Sequence, residues 1–190
     1  GKNTDLDIAI EDVQKAKELG IPIIKRSELL SIIAKSKKTI AVAGTSGKST
    51  TSAMLYQILL DAKLEPSIIS GAGLTSIIKQ GKIGNAAVGK GAWLIIEADE
   101  SDGSVVQYHP EIGLLLNIDK DHQEIDELIE LFSIFKSNTN SLFIVNQSNA
   151  LAKSLSTNSK NDFGFVDNNA GYSAENFKQY GLSLNFEVLN

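Results

Sequence analysis

The feature that most constrains this chain is the run Gly44-Thr45-Ser46-Gly47-Lys48-Ser49-Thr50, set between an apolar β-type segment and a helical one. Glycines let a backbone turn tightly with its N–H groups facing inward, and the start of the next helix adds the positive end of its dipole. Such a cradle suits phosphate: Lys48 reaches the β- and γ-phosphates, and the Ser49 hydroxyl can ligate Mg2+. The form is G-x-x-G-K-[ST]. The longer Walker spacing would put its first glycine at position 42, which is Val42. The competing reading is an ordinary strand-to-helix turn with an incidental lysine.

The flanks predict the fold around that loop. Residues 39–43 are short, apolar and β-branched, as a buried parallel strand is. After the loop, Met54, Leu55, Ile58 and Leu59 fall on one helical face. Further buried strands are predicted at 67–70, 93–97, 112–117 and 142–145, with a helical stripe of Ile125, Leu128, Ile129, Phe132 and Phe135 between the last two. The alternation predicts an α/β fold: a mostly parallel sheet flanked by helices, with ligands beyond the carboxyl ends of its strands. From Asn158 onward Gly, Asn and Ser are frequent, and a small appended sheet of short antiparallel strands is predicted.

Ahead of the sheet, a helix over 10–19 is stopped by Gly20 and Pro22, and 22–24 has the look of a short strand. Ser27 is placed to N-cap a second helix carrying Leu29, Leu30, Ile32 and Ile33. Residues 35–38 form a basic hinge, read as a solvated linker.

Two predicted strands end in polar groups. The first runs into Glu97-Ala98-Asp99-Glu100-Ser101-Asp102, where four carboxylates crowd into six residues. A divalent cation relieves such repulsion, and Mg2+ takes one or two carboxylates with phosphate and water. Glu97, nearest the rigid strand, is the first candidate; a solvated acidic turn is the alternative. The other strand runs into Asn117-Ile118-Asp119-Lys120-Asp121-His122, and on spacing alone a lone histidine there is more often a surface or capping residue.

Composition excludes several classes. With 190 residues, 42% hydrophobic and 22% charged, the chain fits one packed domain with room for a fragment of another. A net charge of −5 with no basic face argues against a nucleic-acid partner. No apolar run approaches the ~20 residues of a membrane helix, and the polar start is no secretory signal. The absence of cysteine removes thiolate chemistry and fits the cytoplasm. The chain starts on Gly1, and 182–189 alternates like a strand and then stops, so it reads as a segment of a longer enzyme.

Taken together, 44–50, 97–104 and 117–122 resemble the central domain of the Mur ligases. The Glu-Ala-Asp-Glu-Ser-Asp form is similar to the branch that adds L-alanine to UDP-N-acetylmuramate, or to the related muropeptide-recycling ligases. Residues 20–30 are similar to the end of that branch's first domain. The resemblance implies that 1–37 is the tail of a UDP-sugar-binding domain with its linker, that 38–190 is the ATP-binding domain, and that a closing C-terminal domain lies elsewhere. It implies a reaction in which ATP phosphorylates a substrate carboxylate and an amine attacks the acyl phosphate. The partners implied are a UDP-N-acetylmuramate-type substrate and an amino acid or peptide, with ATP and Mg2+. As catalytic residues it implies Lys48 on the phosphates, Glu97 on one Mg2+ and His122 on a second, with Ser49 joining Glu97 as a ligand of the first.

The chain departs from that branch at Ser46, where histidine is usual, at Ser49, where threonine is usual, and at Val105, in place of an aromatic residue. Ser49 keeps the hydroxyl. These departures bear on the acceptor more than on ATP. They leave room for a divergent ligase with a different acceptor. Two other readings stand beside it, a non-catalytic nucleotide-binding or scaffold descendant of such a ligase and a small P-loop phosphotransferase.

Overall fold

In the computed structural model, residues 11–101, 103–120, 123–166 and 169–190 are described. In chain order these hold helices α1 (Glu11–Glu18) and α2 (Arg26–Ala34), strand β1 (Lys38–Ala43), α3 (Lys48–Asp61), β2 (Ser67–Ile69), α4 (Thr75–Ile78), β3 (Ala86–Ala87) and β4 (Trp93–Glu97). Then come β5 (Ile112–Leu115), α5 (Ile125–Ser137), β6 (Leu142–Val145), α6 (Ala150–Ser154), β7 (Phe163–Phe165), β8 (Tyr172–Tyr180) and β9 (Ser183–Leu189).

The apolar segments form a six-stranded sheet in the order β3-β2-β4-β1-β5-β6. All its pairings are parallel except that of the short edge strand β3 with β2. Side chains of successive strand residues point to opposite faces, and the sheet builds a core on each. Ala41, Ala43, Leu94 and Ile96 face one side, with Leu128, Phe132 and Phe135 of α5 and Ala34 of α2. Ile40 and Ile95 face the other, with Ile68 and with Tyr56, Leu55 and Leu59 of α3. A strand buried on both faces is continuously apolar, which is why 39–43 shows no alternation.

Several expectations change. On α3 the inward residues are Ser52, Tyr56, Leu55 and Leu59, while Met54 and Ile58 are each 59% exposed. The helix is rotated from the face its apolar residues mark, because its first turn is fixed by the phosphate-type loop. In α2 the buried residues are the small ones, Ser27, Ser31 and Ala34, and Leu29, Ile32 and Ile33 are exposed. Small residues let α2 lie close against a 3-10 turn at Ser104–Gln107, where the Ser31 hydroxyl donates to Gln107 O at 2.9 Å. Ser27 is not the N-cap. The helix starts one residue earlier, and Glu28 caps it by accepting from Lys25 N at 2.8 Å.

Residues 22–24 form no strand. The basic hinge is not merely solvated, since Lys37 Nζ donates to Gly89 O (3.0 Å) and Gly91 O (2.6 Å), tying the start of β1 to the start of β4. The C-terminal sheet, β7-β8-β9, is not wholly antiparallel: β7 runs parallel to β8, following the direction of β6 through a bridge at Asn146 and Phe163. Nor are its strands all short, because β8 and β9 form a long hairpin turned at Gly181 (φ 59°). No helix among the described residues is long and apolar enough to cross a membrane.

Phe132 and Phe135 are fully buried, and Phe135 meets Phe143 edge-on at 6.0 Å. Phe132→Ala is expected to cost about 3–5 kcal/mol in a urea denaturation series, and Met54→Ala less than about 0.5 kcal/mol. Similar losses for both would contradict this placement of the core.

Candidate functional site

The register of the central strands sets the site. Val42 of β1 lies opposite Glu97 of β4, and Ala43 opposite Leu115 of β5. The loop leaving β1 therefore sits between the polar end of β4 and the segment that follows β5.

The loop has the geometry that its glycines require. Gly44 has φ 139°, and a Cβ there would lie 3.1–3.2 Å from Leu116 Cβ and the Asn117 backbone. Gly47, at φ 82°, occupies the left-handed region just before α3. Both conformations strain any side chain. Asn117 locks the loop from β5: its Oδ1 accepts from Thr45 Oγ1 (2.8 Å) and Ser46 N (2.9 Å), and its Nδ2 donates to Ser46 O (3.1 Å). Asp119 N donates to Thr45 Oγ1 at 3.1 Å, which extends the lock by two residues.

Lys48 and Ser49 begin α3 and face the end of β4. Ser49 Oγ donates to Glu97 Oε2 at 3.0 Å. The other carboxylate oxygen of Glu97 accepts from Ser70 Oγ and from Gly71 N (3.0 Å), so the tip of β2 also orients it. Lys48 Nζ donates to Gly44 O (2.7 Å) and pairs with Glu100, at 2.9 and 3.1 Å to its two oxygens. This pair is largely buried, with side-chain exposures of 17% and 7%.

Three of the four crowded carboxylates find donors among the described residues. Glu97 takes three hydrogen bonds, Glu100 takes Lys48, and Asp99 accepts from Ser101 N (3.0 Å) and Ser101 Oγ (2.8 Å). Burial opposes ionisation of Asp99, but the Ser101 hydrogen bonds and the charges of Lys48 and Arg26 outweigh it, holding the carboxyl below its ordinary range. Asp102, Asp121 and His122 lie outside the described residues, and with them the expected role of His122.

The structure brings Gly44, Thr45, Ser46, Gly47, Lys48, Ser49 and Glu97 to one edge of the sheet. Thr50 follows on α3 and lines a groove of about 490 Å3 with Ser49, Gln57, Ser70 and Thr75. Among the described residues no three His, Cys, Asp or Glu side chains cluster as a metal cage. Ser49 and Glu97 still give two hard oxygen donors at one point beside the loop, which is the donor set of a magnesium that takes its remaining ligands from phosphate and water. The residues fit that ion.

Sequence reasoning missed Asn117 as the clasp of the loop, Ser70 and Gly71 as supports of Glu97, and Glu100 as the partner of Lys48. Only Asn117 carried a signal, as a polar residue closing an apolar run. Asn117→Ala removes three hydrogen bonds from a partly buried loop. It is expected to cost about 1–2 kcal/mol of stability by chemical denaturation and to speed amide exchange at Thr45 and Ser46. Unchanged exchange there would mean that Asn117 does not hold the loop.

The family model of the Mur ligase middle domain matches residues 42–190. The UDP-N-acetylmuramate–L-alanine ligase of Nostoc sp. is 42% identical over 128 residues, 65% of this chain and 25% of its own length. The chain thus spans about a quarter of the curated relatives it matches. Two solved structures share its fold. The UDP-N-acetylmuramate–alanine ligase of Thermotoga maritima has a TM-score of 0.78 at 24% identity, covering 95% of this chain and 42% of its own. The UDP-N-acetylmuramate:L-alanyl-gamma-D-glutamyl-meso-diaminopimelate ligase of Neisseria meningitides has a TM-score of 0.75 at 21% identity, covering 95% and 61%. A mostly parallel sheet with a glycine loop after its central strand, together with a family match over residues 42–190, makes this chain a member of the Mur ligase family.

Proposed function

We propose that this chain is the ATP-binding part of a ligase that joins a carboxylate to an amine in the making or recycling of peptidoglycan precursors. The observation that carries the reading is the 3.0 Å contact between Ser49 Oγ and Glu97 Oε2, next in sequence to a loop-tip lysine. Phosphoryl transfer depends mainly on positioning and on neutralised charge. The N–H groups of 47–50, at the start of α3, hold the phosphates of ATP, and Lys48 turns to their outer oxygens. Ser49 and Glu97 hold Mg2+, which when bound neutralises charge between nucleotide and acceptor. His122 is proposed for a second Mg2+.

In the reaction the γ-phosphoryl group passes to a substrate carboxylate, giving an acyl phosphate and ADP. The amine then attacks the acyl carbon, the amide forms and phosphate leaves. The relatives' names support a UDP-N-acetylmuramate-type acceptor joined to L-alanine or a peptide. Residues 1–37 are proposed as the end of a UDP-sugar-binding domain with its linker, and 38–190 as the ATP-binding domain. The cytoplasm, where such precursors and ATP meet, is the proposed location.

The 190-residue chain is expected to bind Mg·ATP weakly and to form no amide, because the acceptor is held mainly by domains beyond it. In calorimetric titration Lys48→Ala should weaken Mg·ATP at least tenfold, and Glu97→Gln should remove most of the difference between Mg2+ and EDTA, with melting curves checking the fold. Equal affinity for wild type and a folded Lys48→Ala would end the nucleotide reading. Amide formation at full rate by this chain alone would end the domain reading.

A further inference from the structure

Arg26 has no place in the chemistry above, and it lies outside the residues that the family model matches. It begins α2, yet it lines a small cavity with Lys48, Glu97, Asp99, Ser104 and Tyr108 at the carboxyl edge of the sheet. Among the described residues it makes no ion pair, although Glu97 and Asp99 line the same cavity. Both carboxylates have donors of their own, Glu97 from Ser49, Ser70 and Gly71, and Asp99 from Ser101. The guanidinium therefore acts on Asp99 through charge alone, with no ion pair to hold it, and lines the same cavity as the lysine of the glycine loop.

The position of Arg26 is built in. Ser27, next to it, is buried and lines the same cavity. Ser31 Oγ fastens the helix to Gln107 O, and Thr39 Oγ1 donates to Ala34 O at 2.7 Å, fixing its end to β1. The cavity measures about 80 Å3. One water needs about 10–15 Å3 of such space, so there is room for a handful of atoms, the size of one phosphoryl group and not of a nucleobase. An arginine fork binds the oxygens of such a group through two parallel N–H donors, and a cation there also stabilises the charge that spreads over it during transfer.

We infer that Arg26 is a binding residue for the terminal phosphoryl group of the nucleotide, supplied from α2 to the face of the site opposite Ser49. The inference rests on the nucleotide reading of the loop. It makes the segment ahead of the matched domain part of the phosphate site, and it separates ATP from ADP: the loop holds the inner phosphates of both, and Arg26 meets only the third.

The test is calorimetric titration of the 190-residue chain with Mg·ADP and with a non-hydrolysable Mg·ATP analogue. Wild type should bind the analogue more tightly. Arg26→Gln should leave ADP affinity within about twofold and weaken the analogue by about tenfold, the loss of one charge-assisted contact. Arg26→Lys, which keeps charge but loses the fork, should fall between. Unchanged melting, as suits an exposed residue, would show that the fold is intact. Three results overturn the inference alone: wild type binding both nucleotides equally, Arg26→Gln keeping the wild-type ratio, or both nucleotides weakening together. Wild type binding neither nucleotide would remove the underlying reading as well.

Discussion

The parallel pairing of β1 with its two neighbours is the constraint on which the rest depends. Parallel strands deliver their carboxyl ends to one edge, and the register sets Val42 beside Glu97 and Ala43 beside Leu115. Everything polar then meets at that edge: a glycine loop from one strand, a carboxylate from the second, an asparagine from the third. A two-residue slip along β4 would carry Glu97 about 7 Å from Ser49. The register is secured from below by Lys37, whose ammonium joins the starts of β1 and β4 through two carbonyls. It is secured within by Ile95 and Ile96, which admit no water.

How much of this was legible in the sequence follows from the reach of each interaction. Strands 93–97 and 142–145 read correctly to the residue, because uninterrupted apolar runs with abrupt polar ends belong to strands buried on both faces. The tight turn at 44–50 between β1 and α3 was legible because its glycines act within seven residues. The faces of α2 and α3 did not. Leu29, Ile32, Ile33, Met54 and Ile58 obey helical spacing yet stay exposed, since close packing of small residues in α2 and the fixed first turn of α3 decided the rotation. Lys37 was read as solvent-facing because its two carbonyl partners lie more than fifty residues away. The same holds for Glu100, whose lysine is fifty-two residues away, and for Asn117, seventy-one residues from Ser46.

The acidic turn shows how the chain handles a local conflict. Carboxylates in close succession at a buried strand end are unfavourable unless each finds a donor. Here the donors come from three directions: Ser101 from the turn itself, Ser70 and Gly71 from β2, and Lys48 from α3. Gln123, donating to Glu100 O at 3.0 Å, adds a backbone tie from the segment ahead of α5.

The Lys48–Glu100 pair has a thermodynamic corollary. A buried ammonium without a partner would be costly. With Glu100 beside it, the lysine is already dehydrated and already aimed along the loop before any anion arrives. On the proposed reading, binding there becomes a swap of counter-ions, with little new desolvation on the protein side. The carboxylate left behind is then a spare negative group beside the incoming one, so the swap favours ligands that bring a cation with them over bare anions.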